Sequence, residues 1–282
     1  MCEYLKSPMN YIGGKYKLLP QILKYFPDDI NVFVDLFAGG LDVGINICAN
    51  NIICNDINSY LIDIYKTFQN TEIDTLLKYI ESRILQYDLS KTNAEGYLNL
   101  RKDYNLTRNP LDLYVLICFS FNHQLRFNSK HEFNTPFGKN RSCFNKKIRD
   151  NLIKFHSKIQ NIIFTSQNFK IFDYSKLKEG DFIYADPPYL ITCGSYNDGK
   201  RGFEGWGVND DISLFEILDK IDSQGAKFAL SNVIEHKGKI NSNLLIWANK
   251  YNVHKIDYNY NNSNYQAKNK IYQTEEILVV NY

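Results

Sequence analysis

Hydrophobic positions along this chain alternate between two periods. Leu18, Leu19, Ile22, Leu23 and Phe26 fall on one stripe at helical spacing, which predicts a helix over 15–26 that Pro27 ends. Val32 to Leu36 is a short apolar run of strand length, closed by the pair Gly39-Gly40. The spacing then predicts a helix over 42–49 and a second strand over 51–56 ending on Asp56. Strand, glycine turn, helix, strand is the opening of a doubly wound α/β sheet.

The middle of the chain has a different rhythm. Segments 59–68, 73–85, 95–104 and 111–121 carry helical periodicity with no strand between them. Segment 122–145 follows, polar and rich in Asn, Lys and Arg, too polar for core and too long for an ordinary connection. Residues 58–157 are therefore predicted to form a helical insertion carrying a β-hairpin. The α/β pattern resumes with strands over 161–165, 181–185 and 227–231, helices over 211–221 and 244–251, and closing strands over 252–257 and 276–280. Between those last two lies the Asn-rich polar stretch 259–264. The expected fold class is α/β, a catalytic domain built from 1–57 and 158–282 with 58–157 inserted.

Composition narrows the picture little. With 282 residues and 44% apolar side chains the chain can bury one large core. The net charge of +2 does not announce a nucleic-acid binder, so any basic surface must be local. The six cysteines form no C-x-x-C and none stands beside a His at zinc-ligand spacing, so no metal site is expected. Scattered single thiols read as reduced, and neither a signal-length apolar run in residues 1–20 nor a stretch of about 20 apolar residues is present. A soluble cytoplasmic protein, away from membranes, is the expectation.

Chemistry concentrates in three places. At Asp35-Leu36-Phe37-Ala38-Gly39-Gly40 the glycines let backbone approach a ligand closely, and a following helix would offer unpaired N–H groups. Asp56 stands 21 residues after Asp35, where an acid ending the second strand accepts hydrogen bonds from a ribose. Turn and acid together suit an adenosine-containing cofactor, and the spacing fits a dinucleotide as well as S-adenosylmethionine. The third place is Phe182 to Tyr189, an apolar strand ending in Asp186-Pro187-Pro188-Tyr189. Prolines stiffen such a loop, and Tyr189 offers a face on which a planar base can stack. An exocyclic amine conjugated with a ring is a poor nucleophile. Acceptors on its hydrogens, here Asp186 and a proline carbonyl, push electron density back onto nitrogen.

These motifs, in this order, resemble the Dam-type DNA adenine methyltransferases, in particular a phage-encoded branch that methylates GATC. Pro8 to Lys15 (PMNYIGGK) is similar to the family's opening motif, Asp35 to Gly40 to its cofactor motif, Asp186 to Tyr189 to its catalytic motif and Phe133 to Gly138 to its recognition hairpin. The resemblance covers nearly the whole chain. It implies the class I methyltransferase fold, S-adenosylmethionine as cofactor, double-stranded DNA as substrate, and 58–157 as the target-recognition part. Tyr11, Lys15, Asp35, Phe37, Gly39, Gly40, Asp56, Asn168, Phe169, Asp186 and Tyr196 would surround the cofactor, with Lys15 near its methionine carboxylate. Asp42 departs from the pattern, standing where the family has a small residue, and is expected to cap the helix over 42–49.

From Asn122 to Arg149 the bases Arg126, Lys130, Lys139, Arg141, Lys146, Lys147 and Arg149 face one acid, Glu132. Such local excess suits phosphate contact, and the interleaved Phe121, Phe127, Phe133 and Phe137 would be exposed for stacking on bases. The resemblance implies Arg126 as a reader of guanine, with Phe121, Asn122, Gln124, Asn128 and Pro136 touching or wedging the site. Arg101, Arg108, Lys139 and Arg141 would hold phosphates or bases. The target adenine must flip out of the duplex. The expected activity is adenine-N6 methylation, probed against two other possibilities: an amine methyltransferase acting on cytosine or RNA, and a catalytically silent DNA-binding regulator. The enzyme would work as a monomer or a DNA-induced dimer, in a bacterial or phage-infected cell, with or without a restriction nuclease.

Overall fold

The apolar runs assemble into one sheet in the computed structural model, which describes residues 4–192, 205–257 and 274–282. Its strands are β1 (Val32–Asp35), β2 (Asn51–Asn55), β3 (Ile162–Thr165), β4 (Phe182–Ala185), β5 (Lys227–His236), β6 (Lys239–Ile240), β7 (Asn252–Ile256) and β8 (Thr274–Val280). The order is β3-β2-β1-β4-β5-β8-β7, with β6 paired to β5. The strands from β3 to β5 run parallel, and β8 runs antiparallel to both β5 and β7. All of β4 is buried, as expected of a central parallel strand covered on both faces. Strand order reverses between β1 and β4, which opens a crevice at the carboxyl ends of these strands. Asp35 ends β1, Asp56 follows β2 and Asp186 follows β4, so three acids remote in sequence gather at that edge.

The helices are α1 (Leu19–Ile22), α2 (Ser59–Gln69), α3 (Ile73–Gln86), α4 (Ala94–Thr107), α5 (Pro110–Phe119), α6 (Lys146–Ile159), α7 (Val208–Ser223) and α8 (Ser242–Ala248). α5 is the pillar of the helical part. Every residue from Leu111 to Phe119 is buried, and α2, α3 and α4 lean on it. Its start is sharply defined: Asn109 accepts the N–H groups of Leu111 and Asp112, and Pro110 occupies the first turn, where its missing N–H costs nothing. The buried Asp112 is neutralised by Arg83 of α3 at 2.7 Å. α2 and α6 also cover the sheet. Tyr65 of α2 packs at a tilt against Phe155 of α6 and Phe164 of β3, with ring centroids 5.8 and 5.5 Å away. One hydrophobic core thus runs from the helical part into the sheet. On the sheet's opposite face α7 and α8 bury Leu214, Leu218, Leu244 and Trp247.

Several local expectations are corrected. No helix forms over 42–49, which is a series of turns. Leu41 adopts a left-handed φ of 66°, and the Asn46 amide donates to the Asp42 carbonyl, diverting backbone from a helical ladder. Asp42 is therefore no helix cap. Its carboxylate accepts the N–H groups of Ser7 and Tyr16 and ties the N-terminal segment to the sheet. The helix over 15–26 is broken into 3-10 turns around the four residues of α1. Phe26 before Pro27 is extended, because the proline ring crowds a helical predecessor. α6, which carries Asn145 as its cap and buries Leu152, Phe155 and Ile159, was not among the predicted helices. The hairpin in 122–145 is reduced to two isolated bridges, Ser120 with Phe137 and Phe127 with Phe133. Residues 259–264 lie outside the described residues.

Candidate active site

The glycine turn after β1 is assembled from its neighbours. Gly39 has φ 44°, a left-handed conformation that favours glycine, and a Cβ there would stand 2.9 Å from the Tyr11 ring. Tyr11 lies against the turn for this reason. Asp56 accepts the Gly39 N–H at 2.9 Å through one oxygen and the Asn58 N–H at 2.8 Å through the other. Tyr65 donates its hydroxyl to the Gly39 carbonyl at 2.8 Å. Asp56 thus shapes the turn, whereas Asn58, by accepting the Leu61 N–H, is the cap of α2. Burial raises the pKa of Asp56, and the two N–H groups work against that rise.

Asn55 is a tie that sequence reasoning missed. Its amide donates to the carbonyls of Leu36 and Gln167 and its oxygen accepts from Thr165 and from the Gln167 N–H, so the loops after β1, β2 and β3 are locked together. Asn168 caps the short turn that carries Phe169. Phe37, Phe169 and Trp206 form a triangle of rings with centroids 5.2–5.6 Å apart, walling the crevice on the side of the glycine turn. Phe169 is mostly buried in this wall, and Trp206 was not foreseen. Tyr196 lies outside the described residues.

The densest electrostatics surrounds Asp186. Lys15 Nζ stands 2.9 Å from Asp186 and 3.6 Å from Glu276, and also donates to the Gly13 carbonyl. The Tyr189 hydroxyl stands 2.9 Å from Asp186 Oδ1 and 3.1 Å from Glu276 Oε1, with its one proton shared between the two acceptors. The Lys15 ammonium lies 5.0 Å from the centre of the Tyr189 ring. Burial works against the charge of Lys15, and the ion pairs with Asp186 and Glu276 outweigh it, so its pKa is raised. Asp186 is also raised, by burial first, with Lys15 pulling it back down. Asp35, pushed well above the usual carboxylate range by burial and then by Asp186 and Asp56, keeps Oδ1 without a hydrogen-bond partner. Glu276 was read only as a strand residue, although an acid between Glu275 and the apolar Ile277 to Val280 is a visible anomaly. Pro187 is buried and Pro188 exposed, so the loop is anchored at its first proline and open at its second.

The expected nucleic-acid face is built differently. Phe127 and Phe133 are buried rather than exposed, which corrects their assignment to base stacking. Phe127 stacks on Tyr60 at 4.5 Å and Phe133 meets Tyr104 edge-on. They fasten the loop to α2 and α4. Phe137 is half-buried against Tyr97, and only Phe121 is exposed, with the Arg141 guanidinium 5.1 Å from its ring centre. From α4 and its end, Arg101 and Arg108 donate to the carbonyls of Thr135 and His131, bracing the loop from within. Asn128 accepts the N–H groups of Lys130 and Glu132 and donates to the Glu132 carboxylate, which holds the tip. Gly138 must be small, because a Cβ would fall 2.6 Å from the Ser120 carbonyl. Asn122 is exposed with φ 55°, and its carbonyl accepts from Asn10 of the opening motif. Gln124 offers its carbonyl to Ser120 and Thr135. Pro136, Lys139 and Arg141 are exposed, and Arg126, partly covered, has its Nε buried without a hydrogen-bond partner.

A mixed sheet with a glycine turn at its switch point, a carboxylate-proline-proline-tyrosine loop after the adjacent strand and a cationic loop beside them belongs to the nucleotide-type α/β class. Residues 11–279 match the D12 class N6 adenine-specific DNA methyltransferases, and the chain belongs to this family, whose fold is that of the class I S-adenosylmethionine-dependent methyltransferases. The chain is 48% identical over 282 residues to the type II methyltransferase M.FokI of Planomicrobium okeanokoites, covering 99% of this chain and 43% of that one. It is 51% identical over 284 residues to the modification methylase StsI of Streptococcus sanguinis, with the same 99% and 43% coverage. Similarity to the DNA adenine methylase of Salmonella typhi is 26% over 229 residues, 79% of each chain. The chain therefore spans less than half the length of the two modification methylases. No helix among the described residues is long and apolar enough to cross a membrane.

Proposed function

We propose that this chain methylates the exocyclic N6 of an adenine flipped out of double-stranded DNA, using S-adenosylmethionine. The observation that carries this is the placement of Asp186, half-buried just after β4 and shared between Lys15 and Tyr189. The crevice suits the cofactor's chemistry. Asp186 and Glu276 flank Lys15, Asp35 and Asp56 stand at the same edge of the sheet, and Asp35 still has an unpartnered oxygen. S-adenosylmethionine carries a sulfonium and an ammonium against one carboxylate, so its net positive charge complements that acidic excess. Tyr11, Gly39 and Gly40 would form the floor, Asp35 and Asp56 the polar side, and Asn168 and the Phe37–Phe169 wall the adenine side. The bound cofactor supplies an electrophilic methyl carbon. The chain's part is to accept an amine hydrogen at Asp186, orient the nitrogen lone pair, stack the base on Tyr189 and exclude water. No covalent protein intermediate is needed.

The DNA-binding role falls to 58–157. Arg126 is the base reader of this proposal, because its guanidinium, only partly covered on the loop, has a fork of donors that matches the two acceptors of guanine in the major groove. Lys139 and Arg141 meet phosphates, Phe121 and Pro136 wedge the flipped site, and Arg101, Arg108 and Asn128 act mainly by holding the loop. Catalysis belongs to 1–57 and 158–282, and the shared core of α2, α6 and the sheet keeps the two parts in register. Hairpin resemblance points to GATC.

Sequencing modified bases in DNA from cells that express the chain tests this. N6-methyladenine in one short motif is the expected outcome, and the motif decides GATC. Methylated cytosine would shift the activity to another amine. Unmodified DNA with folded protein and ample cofactor would favour a silent DNA-binding regulator.

A further inference from the structure

Resting on the function proposed above, we propose that Glu276 is a positioning residue: it takes over Lys15 and the Tyr189 hydroxyl when Asp186 turns to the target amine. Both oxygens of Asp186 are engaged in this structure, Oδ2 by Lys15 at 2.9 Å and Oδ1 by Tyr189 at 2.9 Å. An ammonium on the carboxylate drains the electron density that the amine needs, so Asp186 works best once Lys15 lets go. Lys15 cannot let go into water, because its side chain is 7% exposed, and a buried ammonium without an anion is costly. Glu276 is the second carboxylate in reach. Its side chain is 1% exposed, its Oε1 already accepts from Tyr189 at 3.1 Å, and Lys15 is 3.6 Å away. A movement of under an ångström by the ammonium converts the longer contact into a full ion pair. The Tyr189 ring need not move, since turning its one O–H proton toward Glu276 completes the exchange.

Geometry supports the exchange from the backbone side as well. Glu276 is on β8, whose pairing with β5 sets Val233 opposite Glu276 and Ser231 opposite Leu278. Ser231 in turn is hydrogen-bonded to Tyr184 of β4, two residues before Asp186. The two carboxylates are thus held by one sheet, with β5 between their strands, while the lysine between them reaches in on its four-carbon stem from the N-terminal segment. The methionine carboxylate of the cofactor is a competing anion for Lys15, and the experiment separates the two.

The test is a double-mutant cycle measured by transfer of labelled methyl groups to a duplex carrying the chain's own motif. Glu276→Gln keeps shape and an acceptor for Tyr189 but loses the charge. It is expected to lower kcat by about tenfold to a hundredfold with KM for DNA little changed. In a Lys15→Met background the same substitution is expected to change kcat by less than about threefold, since no cation remains to be transferred. Tyr189→Phe, which keeps the ring and removes the shared hydroxyl, is expected to reproduce part of the loss and provides a second approach should Glu276→Gln fold poorly. Equal losses in both backgrounds, or wild-type kcat in Glu276→Gln or Tyr189→Phe, overturn the exchange. A wild-type chain that methylates no base refutes the underlying function instead, so the two failures are distinguishable.

Discussion

The crevice at the sheet's edge and the loop over 120–145 are built from similar residues and organised in opposite ways. In the crevice charges are held in place inside the protein: Lys15 is shared by Asp186 and Glu276, and both oxygens of Asp56 hold backbone N–H groups. In the loop the balance is mechanical. Phe127 and Phe133 anchor it, Arg101, Arg108 and Asn128 brace its backbone, and Lys139 and Arg141 face solvent. A site that performs chemistry must hold its charges before the substrate arrives, because reorganising them later costs rate. A surface that grips a polyanion leaves its cations to be neutralised by the partner, releasing counterions as it binds. The difference shows which residues to test for rate and which for binding.

The largest effect is expected from Asp186→Ala. Methyl transfer should fall by about a thousandfold or more, with DNA affinity almost unchanged in a gel-shift titration. Matching losses of both would move Asp186 out of the chemistry. Phe133→Ala attacks the other region at its anchor. It should lower unfolding free energy by about 3–5 kcal/mol in a denaturant melt and weaken DNA binding with it. Were stability untouched, the loop's inner anchoring would have to be reassigned. Arg126→Ala is expected to cost about 1–3 kcal/mol of discrimination at one base pair. A loss spread evenly over all sequences would make it a phosphate contact.

The smallest effect concerns pH. Asp186 must be ionised to accept the amine hydrogen, and burial raises its pKa despite Lys15. The acid limb of kcat should therefore lie above the ordinary carboxylate value of 3.8, with activity lost as pH falls through the raised pKa. An acid limb at or below 3.8 would mean that Lys15 outweighs burial. For stability the sign is opposite. A folded pKa above the unfolded one means that the native state binds the proton more tightly, so this contribution is present at low pH and fades as pH rises through the raised value.

Most of the crevice was legible as sequence. Asp35, Gly39, Gly40, Asp56 and Asp186 to Tyr189 each follow a short apolar strand, and a strand that ends at a switch point puts its next residues at the crevice by necessity. The parallel strands and the four middle helices were visible for the same reason, since their apolar spacing is periodic. The loop was legible only in its charge. Phe127 and Phe133 among cations looked exposed because a window of sequence cannot register Tyr60 and Tyr104, which lie on other helices. The turns over 42–49 have helical spacing, yet contacts from Asp42 and Asn46 to residues 5–16 bent them elsewhere.

By itself, then, the sequence determined the doubly wound frame, the order of the motifs and the make-up of the loop from Asp186 to Tyr189. These depend on neighbours within a few residues: period, turn glycines, prolines and an acid at the end of a strand. Only the tertiary structure decided that Glu276 stands beside Lys15, that Asn55 ties three loops together and that Asp42 holds the N-terminal segment. Each of those contacts joins residues far apart in the chain, where the distance that governs hydrogen bonds and ion pairs is set by packing of the core rather than by spacing along the backbone.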